Sequence, residues 1–201
     1  MKKNENAGLL GCVVMAAGNA RRFGGNKLTA ALDGRPLIRR ALEAVPDGVF
    51  QKVVVVTQYS EVADIAKEFH FTVVTNPHPE RGASGTVALG LQELQNCDAV
   101  CFQVADQPLL RQETVAALAD FWRKHPDRIT ALGHGGVRGN PCIFPARFFP
   151  ELMALSGDTG GAAVIRAHPE ALLLYEAPAE ELSDVDTAEA LSALRARRSS
   201  D

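Results

Sequence analysis

The sequence has little cysteine, and none of it is arranged for metal binding or redox chemistry. Its 201 residues include four cysteines, without a CxxC motif and without a Cys/His cluster at zinc-finger spacing. This pattern excludes a zinc finger and predicts buried free thiols in a reducing compartment, so we expect a cytoplasmic protein. Long apolar runs are absent too, since none approaches the ~20 residues of a membrane span. No membrane partner is expected.

An excess of positive charge is also missing. Lysine and arginine total 21 against 24 aspartates and glutamates, which gives a formal net charge of −3. This balance excludes a strongly basic nucleic-acid-binding domain, and no nucleic-acid partner is expected. The length and the hydrophobic content of 46% predict a single domain over residues 1–201, with a core over about 9–197 and frayed ends.

Apolar, β-branched segments alternate with segments of helical periodicity. We predict strands near 10–16, 52–57, 71–75, 98–104, 129–132 and 171–175. We predict helices near 36–45, 60–69, 84–95, 111–124, 147–154, 159–167 and 187–197. The strand segments are continuously apolar, which is typical of strands buried on both faces of a parallel sheet. The alternation predicts a layered α/β fold with helices on both faces of the sheet.

The segment after the first predicted strand, residues 15–27, is a candidate phosphate-binding loop. It is rich in small residues and contains Arg21, Arg22 and Lys27. Flexible backbone N–H groups and cations suit an anionic ligand, and ligands of open α/β sheets bind beyond the strand ends. The P-loop and GxGxxG motifs are both absent, which disfavours a nicotinamide-dependent dehydrogenase. A flexible surface loop with solvated cations is the alternative.

Two acidic positions follow later in the chain. Asp106 lies at the end of the fourth predicted strand, where a carboxylate enters the crevice and suits Mg²⁺ bound with phosphate. A turn-forming aspartate is the alternative. Asp184 and Asp186 are two residues apart, so in extended chain they point to opposite faces and only one reaches a given site. Capping of the last helix, by Asp186 or Thr187, is the alternative there.

The residues of the first loop carry a family resemblance. Residues 16–27 read AAGNARRFGGNK and resemble the AAGxSxRMGxxK signature of the MobA-like nucleotidyltransferases. The resemblance implies a three-layer α/β/α, Rossmann-like nucleotidyltransferase fold with a mostly parallel sheet. It also implies that the loop wraps a nucleoside triphosphate. The implied nucleotide-binding residues are Ala16, Ala17, Gly18, Arg22 and Lys27, the last two holding the triphosphate.

The acidic segments resemble family motifs as well. Residues 104–109 (VADQPL) are similar to a Gly/Ala-Asp-Met-Pro motif, and residues 183–189 (SDVDTAE) are similar to DIDTPED. The resemblance implies that Asp106 and Asp186 hold Mg²⁺ or Mn²⁺, with Asp184 as the alternative to Asp186. It implies that Arg22, Lys27 and Asp106 form the catalytic set.

Two middle segments complete the resemblance. Residues 75–86 resemble a nucleobase-contacting segment, which implicates Gly82 and Ser84; a loop capped by Ser84 or Thr86 is the alternative. Residues 136–145 resemble a hairpin-like element that faces the second substrate. This implicates Asn140 and Pro141 in acceptor binding, although Asn140 replaces the family's usual His. A weaker match at 157–161 is equally explained by a capping Asp158.

These features favour direct nucleotidyl transfer, because two acidic positions and a triphosphate loop occur without an evident nucleophile. The order Ala16-Ala17-Gly18 resembles the cytidylyl branch of the family, which implies transfer of CMP from CTP to molybdopterin and delivery of the product to a molybdenum hydroxylase. Transfer to another phosphorylated acceptor, with GTP as a possible donor, is one alternative. A non-catalytic chaperone for molybdopterin dinucleotide is the other.

Overall fold

A computed structural model describes residues 8–19, 23 and 26–198. The strands are β1 Leu10–Ala16, β2 Ala31–Leu32, β3 Arg35–Pro36, β4 Lys52–Thr57, β5 Thr72–Thr75, β6 Ala99–Val104, β7 Ile129–His134, β8 Val137–Pro145 and β9 Leu172–Glu176. The helices are α1 Leu37–Glu43, α2 Ser60–Glu68, α3 Ala83–Gln92, α4 Gln112–Arg123, α5 Phe149–Met153, α6 Ala162–Ala167 and α7 Ala188–Arg198. Every predicted strand and helix corresponds to one of these elements. Within this part of the chain, no helix has the length and apolar character needed to cross a membrane.

The main sheet has seven strands in the order β5-β4-β1-β6-β8-β7-β9. β8 is antiparallel to both of its neighbours, and the other strands all run in one direction. Neighbouring residues of one strand face opposite layers, as Val13 and Val14 do: Val14 packs with α1, α2 and α4, whereas Val13 packs with α3, α5 and α6. The predicted three-layer α/β/α fold with a mostly parallel sheet is confirmed.

The antiparallel strand β8 is not among the predicted strands, although the family resemblance implies a hairpin-like element at residues 136–145, and β7 and β8 do pair as antiparallel neighbours. Its pattern is interrupted by Pro141, which has no N–H to donate to a sheet and argues against a central strand. The structure accommodates it where the register between β7 and β8 shifts, near Ala131 and Gly133. β8 pairs with β6 only from Cys142 onward. The two strands therefore stop pairing close to the carboxyl end of β6.

Candidate active site

A cleft of about 580 Å³ lies beyond the carboxyl ends of β1 and β6. This is where ligands of α/β sheets bind, and the volume is in the range of small-molecule sites. One wall is the segment after β1, and a second is the start of α3 with the loop before it. A third wall contains the acidic positions. The sequence-predicted residues that line the cleft are Ala16, Ala17, Gly18, Lys27, Gly82, Asp106 and Asp186.

Lys27 joins the two acidic positions across the cleft. It opens a short 3-10 helix, Lys27–Thr29, whose N-cap is Asn26. The Lys27 Nζ donates to Asp106 Oδ2 at 2.7 Å and to Asp186 Oδ1 at 2.9 Å. One ammonium group thus bridges carboxylates from two segments that are far apart in the sequence.

The backbone holds the acidic segments together. The carbonyl of Asp106 accepts a hydrogen bond from the Val185 N–H at 2.8 Å. Val185 is buried, and of the aspartates that flank it Asp186 lines the cleft whereas Asp184 does not. Thr187 caps α7, because its Oγ1 accepts a backbone N–H of that helix at 3.1 Å. The Asp186 carboxylate is therefore available to Lys27.

These contacts set the charge of the site. Burial alone lowers the pKa of Lys27, but its bonds and attraction to Asp106 and Asp186 outweigh burial and raise the pKa above 10.5. Lys27 is therefore a cation at neutral pH. Desolvation, followed by repulsion from Asp106, raises the pKa of the Asp184 carboxyl above 3.8. The carboxylates of Asp106 and Asp186 face the single ammonium group of Lys27, which leaves one negative charge in excess. This excess favours binding of a divalent cation.

The two carboxylates suit Mg²⁺ or Mn²⁺ bound together with a substrate. Asp106 Oδ1 is buried and has no hydrogen-bond partner among the described residues, so it is available to a bound ion. Hard divalent cations prefer carboxylate and phosphate oxygens. Residues 8–19, 23 and 26–198 contain no group of three or more His, Cys, Asp or Glu side chains placed to hold a metal. An ion at Asp106 and Asp186 would therefore depend on oxygens from a bound phosphate.

The segment after β1 reaches the cleft with its backbone. Ala16 and Ala17 are buried, and Gly18 is exposed. Arg22, which was predicted to hold the triphosphate, lies outside the described residues.

Two residues that sequence reasoning missed contact this segment. Gln58 Nε2 donates to the carbonyl of Ala17 at 2.8 Å, and the Tyr59 hydroxyl donates to the carbonyl of Gly18 at 2.9 Å. Neither belongs to a recognisable motif. The only available signal is their position directly after β4, which neighbours β1 in the sheet.

The start of α3 depends on Gly82 and Asp158. Gly82 has a φ of 70°, and a Cβ at this position would lie 2.6 Å from the Cα of Asp158, so only glycine fits. Asp158 Oδ1 accepts from the Ala83 N–H at 3.2 Å and caps the helix. The alternative role of Ser84 or Thr86 as the cap of α3 is not observed, because the capping side chain comes from a distant segment.

The structure places the other predicted binding residues away from the cleft lining. The Ser84 hydroxyl donates to the carbonyl of Arg81 at 3.2 Å, and Thr86 lines the cleft instead. Asn140 and Pro141 are not among the described residues that line the cleft. Asn140 Oδ1 accepts a long bond from the Cys142 thiol at 3.7 Å. Acceptor binding by Asn140 and Pro141 therefore stays a prediction.

Comparison with known proteins identifies the class of enzyme. The MobA-like NTP transferase domain matches residues 12–172, which is most of the chain. Together with the α/β fold and the cleft at its strand ends, this match defines a nucleotidyltransferase. Within that class, the chain belongs to the MobA-like NTP transferase family.

Individual relatives match the sequence at modest identity. The purine catabolism protein PucB of Bacillus subtilis is 25% identical over 91% of this chain and 94% of its own length. A probable molybdenum cofactor guanylyltransferase of Natranaerobius thermophilus is 30% identical, but the match covers 56% of this chain and 54% of the relative.

Two solved structures superimpose over nearly the whole chain. A nucleotidyl transferase of Methanothermobacter thermautotroptrophicus has a TM-score of 0.79 at 20% identity, covering 94% of this chain and 97% of the other. A Mycobacterium tuberculosis protein in complex with manganese has a TM-score of 0.76 at 19% identity, covering 95% and 100%. At these identities the likeness supports the fold.

Proposed function

We propose that this protein transfers CMP from CTP to the phosphate of molybdopterin and releases pyrophosphate. The observation that carries the proposal is the bridge from Asp106 through Lys27 to Asp186 inside a ligand-sized cleft. It combines an ammonium group for phosphate charge with two carboxylates for a divalent cation, and a nucleoside triphosphate needs both. The neighbouring walls are lined by Ala16, Ala17, Gly18 and Gly82.

The proposed reaction is an in-line displacement at the α-phosphorus of the nucleotide. An oxygen of the molybdopterin phosphate forms a bond to this phosphorus. The bond from the phosphorus to the oxygen that bridges it to the β-phosphate breaks, and pyrophosphate leaves with that oxygen. Because a phosphate monoester is already anionic near neutral pH, the nucleophile needs no general base. Catalysis then consists of positioning the reactants and neutralising charge.

The cleft residues divide this work between them. Asp106 and Asp186 would hold Mg²⁺ or Mn²⁺, which neutralises charge on phosphate oxygens when bound. Lys27 exchanges its carboxylate partners for phosphate oxygens of the nucleotide, and Arg22 adds a second cation. The structural relative in complex with manganese supports a divalent ion in this fold.

The choice of cytosine rests on the order Ala16-Ala17-Gly18, which resembles the cytidylyl branch. GTP is the second candidate nucleotide, because one relative is named a probable molybdenum cofactor guanylyltransferase. The same name supports molybdopterin as the acceptor. In this proposal Asn140 and Pro141 contact the acceptor, and a molybdenum hydroxylase receives the product.

One experiment tests donor and acceptor together. The protein is incubated with molybdopterin, Mg²⁺ and each of the four ribonucleoside triphosphates in turn, while pyrophosphate release and product mass are measured. We expect CTP to give the fastest release and a product with the mass of molybdopterin cytosine dinucleotide, and Asp106→Asn to abolish both. Faster release with GTP would assign the protein to guanylyl transfer. If no nucleotide gives pyrophosphate release while the protein still binds added molybdopterin cytosine dinucleotide, the chaperone function would be favoured.

A further inference from the structure

Two side chains outside the cleft hold the backbone of one of its walls. Gln58 Nε2 donates to the carbonyl of Ala17 at 2.8 Å and to Asn19 Oδ1 at 3.0 Å. The Tyr59 hydroxyl donates to the carbonyl of Gly18 at 2.9 Å. Both donors come from the segment between β4 and α2, and neither lines the cleft.

The sheet brings these side chains to the wall. β4 pairs in parallel with β1 up to Thr57 and Ala16, so the segments that follow the two strands leave the sheet side by side. Thr57 is buried, and its Oγ1 accepts from the Tyr59 N–H at 3.1 Å. This local turn anchors Gln58 and Tyr59 beside the segment after β1.

The held carbonyls determine where the adjoining N–H groups point. In a trans peptide the C=O and N–H bonds point in opposite directions. The carbonyls of Ala17 and Gly18 share their peptide bonds with the N–H groups of Gly18 and Asn19, so these N–H groups point away from Gln58 and Tyr59. In the described part of the chain neither N–H has an acceptor, and both residues line the cleft.

Packing does not fix these peptide groups. A Cβ on Gly18 would meet no atom within 4 Å, so side-chain packing at this position does not set the orientation of the peptide groups. The two side-chain donors restrain that orientation. Burial raises the pKa of the Tyr59 hydroxyl above 10.0, which keeps it protonated as a donor at neutral pH.

We propose that Gln58 and Tyr59 are positioning residues that aim the N–H groups of Gly18 and Asn19 at an oxygen of the bound nucleoside triphosphate. The identity of this ligand rests on the proposed function. Donors that are oriented in advance cost little reorganisation when the ligand arrives. Loss of the side chains that orient them therefore weakens nucleotide binding, although neither side chain touches the nucleotide.

Substitutions of nearly equal size test this role. Gln58→Glu replaces the amide donor with a carboxylate that cannot donate, and Tyr59→Phe removes only the hydroxyl. Gln95→Glu and Tyr175→Phe are the matched controls, since among the described residues neither side chain bonds to the segment after β1 and neither lines the cleft. Dissociation constants for CTP and GTP are measured by calorimetry with Mg²⁺ for each variant, for the double variant and for the wild type.

We expect each single substitution to weaken binding of the preferred nucleotide about fivefold to tenfold, and the double substitution to weaken it further. The controls should bind like the wild type. The KM for the nucleotide should rise while the KM for the acceptor is unchanged. The thermal midpoint should stay within about 2 °C of the wild type, whereas a merely structural role would lower it. The amide resonances of Gly18 and Asn19 should shift when nucleotide is added, and shift less in the double variant.

Two results would overturn the inference. One is unchanged nucleotide affinity in the double variant, and the other is an affinity loss that simply follows a fall in thermal stability. Nucleotide binding by the wild type without transfer to molybdopterin would refute the proposed acceptor and leave the positioning role intact. If the wild type bound neither CTP nor GTP, both proposals would fall.

Discussion

Replacement of Lys27 by methionine tests the electrostatics of the cleft. Methionine keeps much of the length and apolar packing of the lysine side chain but removes the ammonium group. In the wild type a divalent cation must compete with that group for Asp106 and Asp186, since Lys27 bonds to both. We therefore expect the nucleotide-free Lys27→Met variant to bind Mn²⁺ more tightly than the wild type.

The size of the effect follows from the two bonds that the metal displaces. A hydrogen bond between charged groups contributes roughly 1.5–3 kcal/mol. The Asp186 side chain is 57% exposed, so solvent screens its bond strongly, whereas Asp106 is 22% exposed and carries most of the effect. A total displacement cost of about 1.5–3 kcal/mol corresponds to a roughly 10- to 150-fold change in the Mn²⁺ dissociation constant.

Electron paramagnetic resonance of free Mn²⁺ provides the assay, with the metal titrated into nucleotide-free protein at neutral pH. Lys124→Met is the matched control, because Lys124 is an exposed lysine outside the cleft lining and its loss should leave Mn²⁺ affinity unchanged. Equal or weaker Mn²⁺ binding by Lys27→Met would refute the competition between the ammonium and the metal.

Three further predictions concern nucleotide binding and stability. Lys27→Met should weaken binding of CTP more than binding of CMP, because CMP lacks the outer phosphates; equal losses in calorimetry would contradict the phosphate role of Lys27. Gly82→Ala should lower the unfolding free energy by about 1–3 kcal/mol, since the new Cβ would lie 2.6 Å from Asp158 Cα at a φ of 70°, and an unchanged urea midpoint would argue against this. The folded pKa of Lys27 lies above its ordinary value of 10.5, so the stability from its ion pairs is fully present below pH 10.5 and is lost as the pH rises through the folded pKa. Unfolding experiments should therefore show the wild type losing more stability than Lys27→Met as the pH rises above 10.5, and parallel curves would count against it.

The parallel part of the sheet could be predicted from the sequence because its strands are apolar without interruption. Lys52–Thr57, with four consecutive valines, has no polar face that would suit a solvent-exposed strand. β8 could not be predicted in the same way, since Pro141 interrupts its apolar pattern. The residues of β8 that precede Cys142 also do not pair with β6. Its position depends on pairing with partners that are distant in the sequence.

The residues of the candidate site were easier to predict than their contacts. Lys27, Asp106 and Asp186 each lie in a segment with a family resemblance. These side chains come into contact because the segment before α7 packs against the segment after β6, where the Val185 N–H donates to the Asp106 carbonyl. No local sequence pattern predicts this long-range contact. The cap of α3 by Asp158 likewise comes from a distant segment.

A crystal structure with CTP and Mn²⁺ tests the central claim most directly. We expect anomalous density for manganese at the carboxylates of Asp106 and Asp186, the triphosphate inside the cleft, and the Lys27 Nζ bonded to phosphate oxygens. CTP bound outside the cleft, or manganese bound elsewhere while Lys27 still bridges both carboxylates, would contradict the account.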